Sequence, residues 1–257
     1  MKSKEIYKFE PELEEVILLK REKRFIAHVK FSDGRVDLAH CANTGSMKGC
    51  LIENQPALIS TTNNKKRKLK YTLEVVKVNN VWIEVNTHRT NHLFRSMVEK
   101  CLIEEFMNYK ILKSEQSILN SRLDFFIEME NGKKSYIEIK QVTLLENRIA
   151  KFPDSVTTRG QKHLKDLTEL IKMGYGAYMV YIVKRDDCDY FDTAKDIDPE
   201  YEKLLKIAIK TGVKVIPIRC SVNKKGIYFD KFLEKVNLVL CQYILCIIII
   251  KKLFVWI

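Results

Sequence analysis

Two stretches, Leu123-Asp-Phe-Phe-Ile-Glu-Met129 and Tyr136-Ile-Glu-Ile-Lys-Gln-Val142, decide the fold of the second half of the chain. Both are strand-like, and an Asn-Gly turn signal lies between them, so we predict an antiparallel hairpin. Side chains alternate along a strand, which places Glu138 and Lys140 on the same face. The hairpin can bring Asp124 beside Glu138. The sequence therefore predicts that two carboxylates and one amine meet above a single sheet.

This group of side chains is suited to metal-assisted chemistry on phosphate. Asp124 and Glu138 can hold one Mg²⁺, or Mn²⁺ in its place, since hard cations prefer oxygen ligands. Such an ion stabilises charge that develops on a phosphate and lowers the pKa of a bound water, and Lys140 would orient that water or stabilise the transition state. Glu115, just after the preceding strand, is a candidate third ligand. The competing interpretation is a surface salt bridge without chemistry.

The elements around the hairpin follow a recognisable order. Helical periodicity gives way to strand-like runs, then to a second helix, a strand, a third helix and a last strand. The predicted elements are a helix over His92–Tyr109, strands over Ile111–Ser114, Leu123–Met129 and Tyr136–Val142, a helix over Thr158–Met173, a strand over Ala177–Val183, a helix over Pro199–Thr211 and a strand over Val213–Ile218. This is the order of the PD-(D/E)xK nuclease core. We expect residues 86–235 to form such an α/β domain with a mixed central sheet.

The first 85 residues contain five or six short strand-like runs and no convincing helix, which predicts a small barrel of the oligonucleotide-binding (OB) type over residues 1–85. A basic run enters one of its strands: Lys65, Lys66, Arg67, Lys68 and Lys70. Cationic loops of such barrels follow a phosphate backbone while aromatic residues stack on bases, so Tyr71 and Trp82 are candidates for stacking. The alternative is a solvated flank that keeps the protein soluble.

The start of the predicted helix over Thr158–Met173 is a second candidate for phosphate contact. Backbone N–H groups at a helix start favour anions. Arg159, Gln161 and Lys162 lie in this first turn, where ordinary capping and exposed charge are the alternative reading. We do not expect His163 to act as a general base, because a metal-bound water would make one unnecessary.

Several longer motifs resemble one family. They are His40-Cys-Ala-Asn-Thr-Gly-Ser-Met47, Val85-Asn-Thr-His88, Ser121-Arg-Leu-Asp-Phe125, Tyr136-Ile-Glu-Ile-Lys-Gln-Val-Thr-Leu144 and Phe152-Pro-Asp-Ser-Val-Thr-Thr-Arg-Gly-Gln-Lys-His-Leu164. Together they closely resemble the sugar fermentation stimulation protein A family, from about Pro11 to about Val236. The resemblance implies an OB-like N-terminal domain, a PD-(D/E)xK-like C-terminal domain, DNA binding and a regulatory role in the use of sugars, maltose especially.

Composition limits the classes of partner, compartment and cofactor that fit this chain. The chain has 257 residues and a formal net charge of +12, which favours a polyanionic partner, either nucleic acid or an anionic membrane surface. Its seven cysteines include no Cys-x-x-Cys pair, which argues against a thiolate zinc site or a disulfide scaffold and favours a cytoplasmic protein. No Walker loop or dinucleotide fingerprint is present, so we expect no small-molecule cofactor.

The apolar segment 236–257 allows three readings: a membrane anchor, a packed terminal strand or helix, or a non-native extension. For the body of the chain, the sequence predicts a DNA-binding protein with a Mg²⁺-dependent nuclease core. The alternative is a non-catalytic regulator that uses the nuclease-like fold to bind DNA without sequence preference.

Overall fold

A computed structural model describes residues 4–119 and 121–238. The strands are β1 (Lys4–Lys8), β2 (Glu14–Glu22), β3 (Ile26–Lys30), β4 (Val36–Cys41), β5 (Gln55–Thr61), β6 (Tyr71–Val78), β7 (Val81–Glu84), β8 (Tyr109–Ile118), β9 (Ser121–Met129), β10 (Lys134–Val142), β11 (Leu144–Glu146), β12 (Ile149–Phe152), β13 (Gly176–Val183), β14 (Tyr190–Thr193), β15 (Lys214–Val222), β16 (Gly226–Phe232) and β17 (Glu234–Lys235). The α-helices are α1 (Thr90–Glu99), α2 (Thr158–Lys172) and α3 (Pro199–Thr211).

The N-terminal part is a closed barrel of the OB type, as predicted. Strands β2 to β6 are ordered β4-β3-β2-β5-β6, and β4 pairs in parallel with β6 to close the ring. Alternate side chains fill the interior; Val16 and Leu18 of β2 are two of them. Leu58 and Val75 belong instead to an apolar cluster shared with α1, so the barrel is packed against the second domain.

The second domain is an α/β unit around a mixed sheet, which confirms the predicted class. Its seven strands are ordered β1-β16-β15-β13-β10-β9-β8, with β10, β13 and β15 parallel at the centre. The nearly continuous apolar run of β13 follows from its position, because Val180 packs in the layer that contains α1 and Met179 in the layer that contains α2 and α3. A smaller sheet, β11-β12-β14-β17, lies beside it.

Two sequence predictions need correction here. The first helix ends at Glu99 instead of Tyr109, because Cys101 takes a left-handed backbone conformation (φ 53°) that stops it. Phe106 still packs in the core, from a short 3₁₀ turn. Strand β1 pairs with β16 and so belongs to the second sheet, although we expected all of residues 1–85 to lie in the barrel domain.

The apolar tail was predicted over 236–257, and most of it lies outside the described residues. Leu238 packs against the apolar layer of α2 and α3. Within the described part of the chain, no helix has the length and apolar character that would be needed to cross a membrane.

Candidate active site and nucleic-acid interface

The hairpin of β9 and β10 places Asp124 across from Glu138. The two strands pair from Lys134↔Glu128 to Ile137↔Phe125, so the next position in this register joins Glu138 and Asp124. Pairing stops there, and the side chain of Asp124 replaces the missing backbone partner: its Oδ2 accepts the Ile139 N–H at 2.8 Å. The other oxygen, Oδ1, accepts from the Asn91 side chain of α1 at 3.0 Å. The predicted meeting of the two carboxylates is therefore a consequence of strand register.

Glu138 and Lys140 lie on the face of β10 that is covered by α2. Lys140 Nζ donates to Glu138 Oε1 at 2.6 Å. His163, a buried residue of α2, contacts the same Glu138 oxygen through Nδ1, and Lys140 Nζ lies 3.3 Å from that nitrogen. Its contact with Glu138 depends on how α2 packs on the sheet, so the sequence contains no local signal that predicts this role for His163.

The two carboxylates respond oppositely to their surroundings. Burial and the negative charge of Glu138 raise the pKa of Asp124 to about 6, although Asn91, Ile139 and Lys140 act in the other direction. Burial also acts to raise the pKa of Glu138, but Lys140 and His163 outweigh it and hold this pKa below its ordinary value. The charge of Glu138 is thus balanced by Lys140 and His163, whereas the ionised form of Asp124 has too little positive charge around it to offset its burial.

The donor set fits a hard divalent cation. Glu138 Oε2 is buried and, within the described residues, accepts no hydrogen bond. Asp124 retains unused lone pairs, since each of its oxygens accepts one bond and a carboxylate has about four acceptor sites. Residues 4–119 and 121–238 contain no group of three or more His, Cys, Asp or Glu side chains that could hold a metal. Mg²⁺ needs no more than one or two carboxylates, because it keeps several waters and binds substrate phosphate.

Glu115 does not join this pair. Its carboxylate is exposed and forms an ion pair with Arg122 on the outer strands of the sheet. The backbone of Glu115 is in the left-handed region (φ 59°), which interrupts the alternation of side chains along β8. The prediction of a third carboxylate ligand was made because Glu115 follows the predicted strand Ile111–Ser114, but β8 continues through this residue to Ile118.

The first turn of α2 contains the other predicted phosphate contacts. Arg159 and Lys162 are exposed there. Gln161 is engaged in the fold, because its Nε2 donates to Asp198, the residue that caps α3, at 2.9 Å. The helix itself is capped by Thr157, whose Oγ1 accepts the Gly160 N–H. Arg159 and Lys162 are thus the more exposed side chains of this turn, and the Gln161 amide is bonded to the start of α3.

The basic run of the barrel lies in the loop between β5 and β6. All five of its side chains are exposed: Lys65, Lys66, Arg67, Lys68 and Lys70. The aromatic residues behave differently from the prediction. Tyr71 is buried in the barrel interior against Phe31, and Trp82 packs partly against the α1 layer. Alternation along a barrel strand turns one of every two residues inward, so Tyr71 offers no free ring for base stacking.

The polar turn after β4 joins the two domains. Ser46 Oγ donates to the Asp154 carboxylate at 2.9 Å, and the Met47 N–H donates to the same carboxylate at 3.0 Å. Gly45 allows this close approach, because a Cβ there would lie 3.0 Å from Asn43 Oδ1 and 3.1 Å from Asp154. The turn therefore positions the barrel beside the segment that leads into α2.

Comparison with known proteins agrees with this architecture. A family model described as the Sugar fermentation stimulation protein RE domain matches residues 88–226, and one described as the SfsA N-terminal OB domain matches residues 19–85. A sugar fermentation stimulation protein homolog from Pelagibacter ubique is 44% identical over 223 residues, covering 86% of this chain and 95% of that protein. One from Geotalea daltonii is 39% identical over 219 residues, covering 85% and 94%.

A solved structure also aligns over nearly the whole chain. SfsA from Pyrococcus furiosus, determined in complex with Ca²⁺, superposes with a TM-score of 0.83 at 27% sequence identity. The alignment covers 90% of this chain and 99% of that one. Both the barrel and the α/β domain therefore have counterparts in a single known protein.

Proposed function

Since the chain belongs to the sugar fermentation stimulation protein family, we propose that it binds DNA and hydrolyses phosphodiester bonds at a Mg²⁺ site formed by Asp124 and Glu138. One observation carries the proposal. The charge of Glu138, which bonds Lys140, acts on the Asp124 carboxylate, and a buried oxygen of Glu138 is left without a hydrogen bond within the described residues. A polar atom in that state has a substantial energetic cost unless a ligand satisfies it.

Each side chain has a distinct part in this site. A bound Mg²⁺ would stabilise the charge that develops on the scissile phosphate. Asp124 and Glu138 would hold the ion, with Asn91 fixing the orientation of Asp124. Lys140 places a positive charge next to Glu138, where it can stabilise the additional negative charge of the transition state. His163 acts as a positioning residue that keeps Glu138 in place.

The nature of the ion follows from the ligands. The Pyrococcus furiosus relative was determined with Ca²⁺, a hard cation that prefers six to eight oxygen ligands. Two carboxylates with open positions suit the smaller Mg²⁺ better, since it retains water and binds phosphate directly. We propose Mg²⁺ as the native ion, with Mn²⁺ as an active substitute.

DNA is the proposed polymer, and the positive charge of the chain supports it. The net charge is +12, and exposed cations occur both in the β5–β6 loop of the barrel and at the start of α2, where Arg159 and Lys162 lie. Such charges bind the phosphate backbone without reading sequence. Through this binding the protein would influence genes for the use of sugars such as maltose.

The decisive experiment is a nicking assay on supercoiled, linear duplex, branched and single-stranded DNA with Mg²⁺, Mn²⁺ or EDTA. Asp124→Asn should abolish metal-dependent cleavage and leave DNA affinity within about twofold, because it removes one metal ligand and one charge only. Glu128→Gln is the matched control, since Glu128 lies on the same strand roughly 13 Å away at about 3.3 Å per residue. If the wild type cuts none of these substrates with either metal, the catalytic part of the proposal is wrong and the fold is a DNA-binding platform.

A further inference from the structure

A polar cleft lies where the barrel meets the start of α1, apart from the two carboxylates. Its volume is about 290 Å³. His40 of β4, Thr72 of β6, Arg67 of the β5–β6 loop and His88 of the turn before α1 line it. His40 and His88 belong to two of the family motifs in the sequence, and neither takes part in the metal site.

The positive charge of the cleft is not cancelled by its one acidic residue. Glu74, at the base, is buried, and its Oε2 accepts from both terminal nitrogens of Arg89 at 3.0 and 3.1 Å. Ser60 and Asn86 donate to the same carboxylate. Burial, and after it the charges of Arg67 and His88, hold the pKa of His40 below its ordinary value, while Glu74 acts in the other direction.

The cleft is connected to the proposed metal site through the start of α1. His88 lies in the short turn Thr87–Arg89 directly before this helix, and Asn91 lies in the first turn of the helix. Asn91 in turn donates to Asp124 at 3.0 Å. On its other side the cleft opens to the basic loop through Arg67, whose guanidinium donates to Thr72 at 2.9 Å.

We propose that this cleft is a phosphate subsite, in which Arg67, His40 and His88 bind a phosphodiester of the same nucleic-acid strand that enters the Asp124–Glu138 site. This inference rests on the proposed function and adds to it the path of the strand, from the β5–β6 loop across the cleft to the carboxylates. The volume of the cleft is just below the range of about 300–1,000 Å³ that is typical of ligand pockets, which suits one nucleotide unit of a backbone. It also gives the barrel a direct role in placing the substrate.

The test is DNA binding by the full chain, measured by fluorescence anisotropy with labelled single-stranded and duplex oligonucleotides over a range of salt concentrations in EDTA. Arg67→Gln and His88→Ala should each weaken binding about tenfold, as expected for one lost charge-assisted contact. Arg67→Gln should also reduce the slope of log affinity against log salt by about 0.9 on duplex DNA or about 0.7 on a single strand. Lys133→Gln, an exposed cation at the far turn of the β9–β10 hairpin, should change neither quantity by a comparable amount.

The outcomes separate this inference from the catalytic proposal. If both cleft variants are folded, as judged by thermal unfolding, and bind like the wild type, the subsite is refuted even if Asp124→Asn abolishes cleavage. If the wild type never cleaves but the cleft variants lose affinity, the subsite stands and the catalytic proposal fails. A wild type that binds no oligonucleotide would overturn the subsite as well.

Discussion

Replacing Asp124 by Asn should stabilise the metal-free protein at neutral pH, while it removes activity. Burial and Glu138 raise the pKa of Asp124 from 3.8 to about 6, so the ionised form is disfavoured in the folded state. At 1.36 kcal/mol per pKa unit this amounts to about 3 kcal/mol. Asn cannot accept hydrogen bonds from both Asn91 and Ile139 with equal strength, and this loss offsets about 1 kcal/mol of the gain in stability. We expect a net gain of about 2 kcal/mol, or about 4–8 °C in Tm for a chain of this size.

The pH dependence has a defined sign. Because the folded pKa of Asp124 lies above the unfolded one, its contribution to stability is present below about pH 4 and is lost as the pH rises through about 6. The advantage of the Asn variant should therefore grow by about 2 kcal/mol between pH 4.5 and pH 8, measured by urea unfolding in EDTA. Glu138→Gln should have the opposite effect and destabilise at neutral pH, since Lys140 and His163 stabilise the ionised carboxylate.

Magnesium provides an independent check on the same reasoning. A ligand that binds only the folded state raises its stability, so millimolar Mg²⁺ should raise the Tm of the wild type and not that of Asp124→Asn. An Asn variant that is less stable than the wild type at pH 8, or an advantage that does not vary with pH, would refute the claim that this carboxylate is held at an energetic cost for function.

Three further changes test other parts of the structure. Lys184→Met should destabilise by about 3–5 kcal/mol in urea unfolding, because it removes the nearer of the two cations beside buried Glu84 and leaves only Arg89, 3.7 Å away; adding Glu84→Gln should recover part of the loss. Gln161→Ala should lower the Tm and leave DNA affinity nearly unchanged, because its amide bonds the aspartate that caps α3; the reverse result would make it a DNA contact. Ser46→Ala should cost about 1–2 kcal/mol and speed proteolysis between the domains, since its hydroxyl donates to Asp154; an unchanged rate would show that this contact does not hold the domains together.

The part of the site that could be predicted from sequence is the part set by local rules. A tight Asn-Gly turn and strict alternation fix which residues of a hairpin face each other, and these two features place Asp124 opposite Glu138. The order of helices and strands is equally local, because each element has its own periodicity. The α/β domain could therefore be identified before any long-range contact was known.

Two of the features that the sequence did not predict come from contacts between distant segments, and one comes from a local backbone conformation. His163 reaches Glu138 only because α2 packs at one particular height on the sheet. The left-handed conformation of Glu115 and its ion pair with Arg122 have no signature in a pattern of alternating residues. Strand β1 joins β16 across almost the whole length of the chain, a pairing for which periodicity provides no register.

The buried charges between the domains explain how the two proposed sites can act on one strand. Apolar residues would stabilise this junction at least as well, because taking ions out of water is costly. Charged hydrogen bonds, however, fix direction and distance: Arg89 donates to Glu74 of the barrel at 3.0 Å, and Lys184, the residue after β13, donates to the Asn86 carbonyl at 2.8 Å. One of these bonds comes from each domain, and together they hold the turn before α1 in place. That turn contains His88, and Asn91 follows in the first turn of α1, so the same contacts that join the domains also fix the distance between the phosphate subsite and the carboxylates.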